Sequence, residues 1–468
     1  MAKVLICYFF GGSRRNIPSL YDGLKDKFLE NGNDVVLVNI DRYIKRQGFS
    51  FSLDKGRLGF FKEKIDGFSP DLVLSFNNAF PAEMWDEVDG KLCILDADNP
   101  EYFWNKEALK NKRERFFYLG FQRYSEQMYR SFFEGNFDLA GYAYFPPATN
   151  VKAEKLPKTN NISFIGTNFN AGSRLKSVPD KKLVSEIYLA LKSDYFYNPH
   201  RLFQELSPGM DENRFHEIFE TVKAVYIRED RLKYLDAIAD LGLVIYGDSS
   251  WNNISSYDLA LSGRFDETPV FSLEENSRIY NSSKISINIS HPQAVTSFSW
   301  RVMDIMASSS CLVMEKKPDW DELFGERLSD EVIEAIIYKD RFDMREKCKR
   351  LLSDDSLRER CVRECREAIE KKGRWEERFE ILEGLLGLKL IGCENENPSY
   401  AFYALEDNEL SKSKLSKSKT GPGRFPVRFK YLRYVATAYL SEVPFLSLFI
   451  DKERAARKLE KYHLKNAS

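Results

Sequence analysis

Short apolar runs separated by polar loops recur along the chain and alternate with segments of helical periodicity. The clearest example is the segment 285–314. An alternating apolar run at 285–289 predicts a strand, and the polar loop SHPQAVTS follows it. A helix is expected to begin near Ser297, and a second apolar run at 311–314 predicts the next strand. Strand, loop, helix and strand in this order form the repeating unit of parallel α/β sheets.

The first 150 residues repeat this unit. Five apolar runs predict its strands: KVLICYFF, NDVVLVNI, DLVLSF, KLCILDADNP and FFYLGF. In an open parallel sheet, ligands bind at the carboxyl ends of the strands. Glycine and polar residues collect at these ends, namely Gly11, Gly12, Asn77, Asn78, Asp96, Asp98 and Asn99. Each of them alone is also compatible with a turn or a helix cap.

A second series of strands begins after Pro146-Pro147, a pair that predicts a linker. The run NISFIGTNF ends in Gly166-Thr167, and GLVIYGDSSW ends at Gly247. Both ends belong to the edge at which a parallel sheet binds its ligands. Arg174 follows the first of them and adds a positive charge.

The predicted fold class is therefore α/β, with two Rossmann-like domains that face each other across a cleft. We expect the first domain at 1–150 and the second at 151–390. Residues 391–468 are expected to form a linker and a helical, basic extension.

The helix predicted near residue 297 carries three polar side chains on one side. A turn of about 100° per residue places Ser297, Arg301 and Asp304 within roughly 60° of one another. A guanidinium fits phosphate oxygens, and a carboxylate one turn further on accepts hydrogen bonds from both ribose hydroxyls. The pattern thus predicts a binding site for a nucleoside diphosphate. The alternative is an exposed Arg–Asp pair on a helix surface.

Composition excludes several classes of function. The chain has 70 basic and 71 acidic residues, and this balance gives no general attraction to nucleic acid. No HExxH, Walker or GxSxG motif is present, which argues against zinc proteases, P-loop ATPases and serine hydrolases. The triplet Asp96-Ala97-Asp98 is the one acidic pair suited to a divalent metal on a diphosphate, but capping or core hydrogen bonding is the commoner role of such a pair. No metal is therefore expected to be required.

The C-terminal part differs in composition from the rest of the chain. SKSKLSKSKTGPG is of low complexity, and from Ser411 onward basic residues exceed acidic ones by roughly ten. We expect this tail to dock on a membrane surface or an acidic protein, the alternative being packing on its own chain or a second subunit. No signal peptide and no apolar run of about 18 residues is found, so the expected location is cytoplasmic, peripheral at the inner membrane face.

Four segments in order resemble the C-terminal domain of the bacterial spore-maturation-type glycosyltransferases, group-1 enzymes with the B-type two-Rossmann fold. The segments are NISFIGTNF, RLKYLDAIADLGLVIYGDSSW, IYNSSKISINIS and SFSWRVMDIMASSSCLVM. The first half, with ILDADNPEYFW and YFPPATN, resembles their N-terminal domain, so the likeness covers about residues 1–385. It implies a glycosyltransferase that moves a sugar from a nucleoside-diphosphate sugar to a glycan, lipid-linked or protein acceptor.

The resemblance also implies roles for individual residues. Gly166 and Thr167 would face the donor diphosphate, and Gly247 would lie near the base of the nucleotide. Arg301 would bind phosphate, with Asp304 in the place of the glutamate that holds the ribose. The remaining donor-side candidates are Arg174 and Ser297, and those expected on the acceptor side are Gly11, Gly12 and Asn77.

The catalytic base stays open among Asp96, Asp98 and His291. Two departures from the family pattern matter here. Serines stand at 308–310, where the family has a glycine, and the first domain has no histidine. The stereochemical course is therefore open, and the alternative function is a catalytically degenerate sugar- or nucleotide-binding module in a glycan-assembly complex.

Overall fold

The structure is a computed structural model. It describes residues 1–10, 17–42, 44–47, 50–53, 55–169, 175, 178–196, 199–256 and 258–404. The predicted basic extension from Ser411 onward lies outside the described residues.

The first half of the chain alternates strands and helices. In order, its elements are β1 (Lys3–Tyr8), α1 (Ser19–Glu30), β2 (Asp34–Asn39), β3 (Ile44–Gln47), β4 (Ser50–Leu53), α2 (Lys55–Asp66), β5 (Leu72–Phe76), β6 (Lys91–Leu95), α3 (Lys106–Asn111), β7 (Phe116–Gly120), α4 (Ser125–Phe132) and β8 (Gly141–Tyr144). Strands β3 and β4 form a separate antiparallel hairpin.

The second half begins with a strand and a run of three helices, and its last two elements return to the first sheet. In order, its elements are β9 (Asn160–Ile165), α5 (Lys181–Ser193), α6 (Pro199–Leu206), α7 (Glu212–Asp236), β10 (Leu243–Tyr246), β11 (Phe265–Asp266), α8 (Leu273–Asn281), β12 (Ser283–Asn288), α9 (Arg301–Ala307), β13 (Cys311–Glu315), α10 (Pro318–Phe324), α11 (Asp330–Ile336), β14 (Ile337–Tyr338), α12 (Arg341–Ser353), α13 (Asp355–Lys372), α14 (Glu376–Leu386) and β15 (Tyr400–Tyr403).

These strands form two separate parallel sheets. The first has seven strands in the order β15-β2-β1-β5-β6-β7-β8, and the second has six in the order β11-β10-β9-β12-β13-β14. Alternate residues of β1 pack into two different apolar cores, so the first sheet is covered on both faces. That explains why its strands read as continuous apolar runs. The predicted fold class, two Rossmann-like α/β domains, is confirmed.

The C-terminal end of the described chain differs from the predicted boundaries. Phe379 of α14 lies in the apolar core on one face of the first sheet, with its ring 4.6 Å from that of Phe28 on α1, and β15 pairs with β2. Residues from about 375 to 404 therefore belong to the first domain, although 151–390 was predicted for the second domain and 391–404 for the extension. Helical periodicity shows that a helix has an apolar face but not which core covers that face.

The chain crosses between the domains twice, and the two crossings are bound together. Arg378 is fully buried and donates hydrogen bonds to the carbonyl oxygens of Pro146 (3.1 Å) and Pro147 (2.6 Å). Thr149 N donates to Gly373 O at 3.0 Å. The predicted proline linker is therefore one of two connections between the domains, and the two connections lie side by side.

Helices α5, α6 and α7 form a bundle with its own small core, which includes Ile187, Phe215 and Phe219. This bundle is inserted between β9 and β10. Within the described part of the chain, no helix is both long and apolar enough to cross a bilayer.

Candidate active site

The ends of β9 and β10 meet at two glycines. Gly166 N donates to Tyr246 O at 2.9 Å, and Trp251 Nε1 donates to Gly166 O at 2.7 Å. A Cβ atom on Gly247 would lie 2.2 Å from Gly166 O, which no side chain tolerates. The sequence placed both glycines correctly at strand ends, and close backbone packing is a sufficient reason for Gly247.

Arg231 on α7 is a candidate site residue that the sequence analysis missed. Its Nη1 atom donates to Thr167 O at 2.6 Å, and its guanidinium lies 4.8 Å from the centre of the Phe169 ring. Only 4 % of Arg231 is exposed. Burial, followed by the charge of Arg301, lowers the pKa of Arg231 to about 9. A buried cation therefore lies directly at the Gly166-Thr167 turn.

Arg301 is the second cation at this place. Its guanidinium lies 5.7 Å from the centre of the Phe164 ring, and that of Arg231 lies 5.4 Å from the same ring. The Nη1 atom of Arg301 is buried and finds no hydrogen-bond partner among the described residues. Burial lowers the pKa of Arg301 as well. Two guanidinium groups that repel each other in a low-dielectric setting fit an anion with two phosphates.

His291 lies beside these arginines, in the loop after β12. Its ring is 5.4 Å from that of Phe169 and 5.9 Å from that of Tyr195. Burial and the charges of Arg231, Lys223 and Arg301 lower the pKa of His291 to about 3, so the ring is neutral near pH 7. Its Nδ1 atom accepts a hydrogen bond from Gln293 N at 3.2 Å, which leaves Nε2 to carry the proton. This arrangement suits a hydrogen-bond donor better than a base.

Asp98, at the carboxyl edge of the first sheet, faces the second domain. Its Oδ2 atom accepts from Asn77 Nδ2 at 2.7 Å, and its Oδ1 atom accepts from Gln293 Nε2 at 2.6 Å. Asn77 also accepts from the backbone of Ala97 and Asp98 through Oδ1, at 2.8 and 3.0 Å. Gln293 therefore contacts two of the three candidate bases, Asp98 through its side chain and His291 through its backbone.

Asp96 is not part of this group. It is 1 % exposed. Its Oδ1 atom accepts a hydrogen bond at 2.6 Å from the backbone N–H of Phe121, which follows the neighbouring strand β7. Burial raises the pKa of Asp96 well above its usual range. The prediction of Asp96 as a catalytic candidate is thus not supported by its position, because its carboxyl group is enclosed within the first domain.

Ser297, Arg301 and Asp304 were predicted to share one side of a helix, and the structure shows that they do not. Helix α9 begins at Arg301, so Ser297 lies in the preceding loop, where it is fully buried. The alternative of an exposed Arg–Asp pair is also wrong, because Asp304 is only 5 % exposed.

Asp304 contacts residues from outside its own sheet. Its Oδ1 atom accepts from Thr149 Oγ1 at 2.6 Å, and its Oδ2 atom accepts from Ser19 Oγ at 3.2 Å. Burial raises the pKa of Asp304 to about 6, although both hydrogen bonds and the charge of Arg301 act in the opposite direction.

Three predicted residues, Gly11, Gly12 and Arg174, lie outside the described residues. The residues that the structure does describe include no group of three or more His, Cys, Asp or Glu side chains placed to hold a metal ion.

Residues 228–384 match the model of a family described as glycosyl transferase-like. This segment includes Arg231, His291, Arg301 and Asp304. The prediction of a glycosyltransferase is confirmed at the level of this class. No curated protein matches the sequence.

Several solved structures are similar to the chain at low identity. T4 phage β-glucosyltransferase, in complex with its UDP-glucose substrate, is 12 % identical over 82 % of this chain and 100 % of its own, with a TM-score of 0.48. Sucrose-phosphate synthase from Thermosynechococcus elongatus is 10 % identical over 82 % of this chain and 98 % of its own, with a TM-score of 0.49. An α-glucosyltransferase in complex with UDP is 12 % identical over 82 % and 100 %, with a TM-score of 0.46.

Proposed function

We propose that this protein transfers a sugar from a nucleoside-diphosphate sugar to a hydroxyl group of an acceptor. The observation that carries the proposal is the pair of guanidinium groups, Arg231 and Arg301, that lie against the same Phe164 ring, with Arg231 also bonded to Thr167 O. The unpartnered Nη1 atom of Arg301 supports an anionic ligand at this position. A diphosphate leaving group gains negative charge as its bond to the sugar breaks, and fixed cations stabilise that charge without reorganisation.

The transfer needs a base as well as a stabilised leaving group, and the position of Asp98 supports it in that role. The acceptor oxygen attacks the anomeric carbon and its proton passes to the Asp98 carboxylate. The bond from the anomeric carbon to the diphosphate oxygen breaks, and its electron pair stays on that oxygen beside Arg231 and Arg301. In this scheme His291, neutral and protonated on Nε2, donates a hydrogen bond to the sugar or the diphosphate.

Asp304 is proposed to accept hydrogen bonds from the ribose hydroxyls of the donor. Its Oδ2 atom is held by Ser19 Oγ at 3.2 Å, the longer of its two hydrogen bonds. In this proposal, a ribose hydroxyl that binds this oxygen replaces the Ser19 hydroxyl as its hydrogen-bond donor.

The finer features implied by the resemblance remain part of the proposal. They are the spore-maturation subtype, a glycan, lipid-linked or protein acceptor, and the docking of the basic tail on a membrane surface or a protein partner. No resident metal is proposed, because the two arginines supply positive charge at the diphosphate position.

A thermal-shift screen with nucleoside diphosphates and their sugars tests the proposal, because a ligand that binds the folded state raises the apparent stability. We expect at least one nucleoside diphosphate to raise Tm, and the corresponding nucleotide sugar to be hydrolysed slowly with water as acceptor. The absence of any shift across the screen would contradict the proposal. Binding without any hydrolysis would instead favour the alternative, a degenerate binding module.

A further inference from the structure

We propose that Gln293 is a positioning residue that orients the base Asp98, and that it does so only when the two domains are in contact. The inference rests on the proposed function, since it takes Asp98 as the base. It concerns a residue of the second domain that acts on a carboxylate of the first.

Gln293 contacts both polar side chains that the structure brings together at the interface. Its Nε2 atom donates to Asp98 Oδ1 at 2.6 Å, and its backbone N–H donates to His291 Nδ1 at 3.2 Å. Only 9 % of Gln293 is exposed. One buried residue thus fixes the carboxylate through its side chain and the imidazole tautomer through its backbone.

The loop that carries Gln293 is held in register by the first domain. Gln122, which is buried, donates through Nε2 to Gln293 O at 3.0 Å. Its Oε1 atom accepts from Val295 N at 2.8 Å and from Thr296 N at 3.1 Å. Tyr124 N adds a hydrogen bond to Thr296 Oγ1 at 3.1 Å. All of these bonds join the two domains, so all of them depend on the domains being together.

The two oxygens of Asp98 consequently have partners of different origin. Asn77, from the same domain, donates to Oδ2, whereas Gln293 donates to Oδ1 across the interface. An amide N–H stabilises the ionised form of a carboxylate and fixes its direction. Domain contact would therefore complete the base at the moment that water is excluded, which limits hydrolysis of the donor in an open state.

Replacement of Gln293 by leucine removes the donor and keeps a similar volume. With the nucleotide sugar chosen by the screen, and water as acceptor, we expect Q293L to lower kcat by about tenfold or more. Donor Kd should change by less than about threefold. The matched control is Q127L, since Gln127 lies exposed on α4, and it should alter none of these.

A purely structural role for Gln293 predicts a different result. In that case Q293L would weaken donor binding and stability while kcat at saturating donor stayed unchanged, and this outcome would overturn the inference. The variant Q293E keeps the length of the side chain but places a second carboxylate beside Asp98. It should therefore lower kcat at least as much as Q293L does.

A second measurement needs no turnover. The free energy of unfolding is compared between the wild type and D98N, and again between Q293L and the double variant Q293L/D98N. We expect the two differences to be unequal, because only the wild type keeps the hydrogen bond from Gln293 to Asp98, and equal differences would contradict the link between these residues. If no nucleotide sugar binds at all, the proposed function fails, while this double-mutant cycle still decides whether Gln293 acts on the carboxylate.

Discussion

Ser19 Oγ, at the start of α1 in the first domain, donates a hydrogen bond to Oδ2 of Asp304 on α9 of the second domain, at 3.2 Å. The backbone of Ser19 makes a further cross-domain bond, from its N–H to Phe271 O at 2.7 Å. Thr149, in the first connection between the domains, donates to the other oxygen of Asp304. One carboxylate therefore links the first helix, this connection and the helix that carries Arg301.

This contact predicts opposite effects for the two partners on nucleotide binding. If the ribose competes with Ser19 for Asp304, S19A should tighten binding of the nucleoside diphosphate by about threefold to tenfold, the value of one hydrogen bond. D304A should weaken it. Isothermal titration calorimetry measures both changes. Weaker binding by S19A would show that Ser19 supports the donor site rather than competing for it.

The pKa of Asp304 predicts a pH-dependent stability. Because burial raises this pKa from 3.8 to about 6, the carboxyl group's contribution to stability is fully present below about pH 4. It is lost as the pH rises through about 6. The variant D304N does not ionise, so its free energy of unfolding relative to the wild type should increase between pH 4 and pH 7, by on the order of 3 kcal/mol. Urea unfolding at a series of pH values measures this difference.

The control for D304N is D89N, because Asp89 is exposed. Its stability relative to the wild type should stay nearly constant over the same pH range. A flat profile for D304N as well would mean that Asp304 ionises in the folded protein as readily as in the unfolded chain.

Arg231 should matter for donor binding as much as Arg301. Each lies against the Phe164 ring, and loss of either removes a buried cation beside the diphosphate. We expect R231A and R301A each to weaken binding of the nucleoside diphosphate by about tenfold or more, with a smaller loss for the nucleoside alone. Calorimetry with the two ligands separates these effects. R130A, at an exposed arginine of α4, is the matched control and should bind as the wild type does. Unchanged affinity in R231A would remove Arg231 from the site.

Gly247 should not tolerate a side chain. A Cβ atom at this position would lie 2.2 Å from Gly166 O and 2.7 Å from Trp251 Nε1, so either the strand end or the tryptophan must move. We expect G247A to lower the free energy of unfolding by about 2 kcal/mol or more. The opposite is expected for G384A, because Gly384 lies exposed in α14 with no atom near its Cβ position, and alanine favours the helix by roughly 0.5–1 kcal/mol. Thermal or chemical unfolding of both variants tests the pair.

Much of the fold and part of the site could be predicted from the sequence. Apolar runs at 285–289 and 311–314 correspond to β12 and β13, and the glycines at 166 and 247 do lie at strand ends. These features are local, because a buried parallel strand needs a continuous apolar run and a tight strand end needs glycine. Arg301 was predicted from a shared helix face with Ser297 and Asp304 and from the family resemblance, and the structure does place it beside the first strand of the second sheet although Ser297 lies outside the helix.

The remaining features depend on contacts between distant parts of the chain, which only the tertiary structure decides. Arg231 lies on a long helix that no motif marks, and it becomes a candidate site residue because α7 brings its guanidinium to the Gly166-Thr167 turn. Gln293 and Asp98 are 195 residues apart and meet only because two domains dock. The packing of α14 and β15 on the first sheet likewise depends on contacts between distant parts of the chain. A sequence pattern encodes which face of an element is apolar or charged, whereas the partner of that face is set by the packing of whole domains.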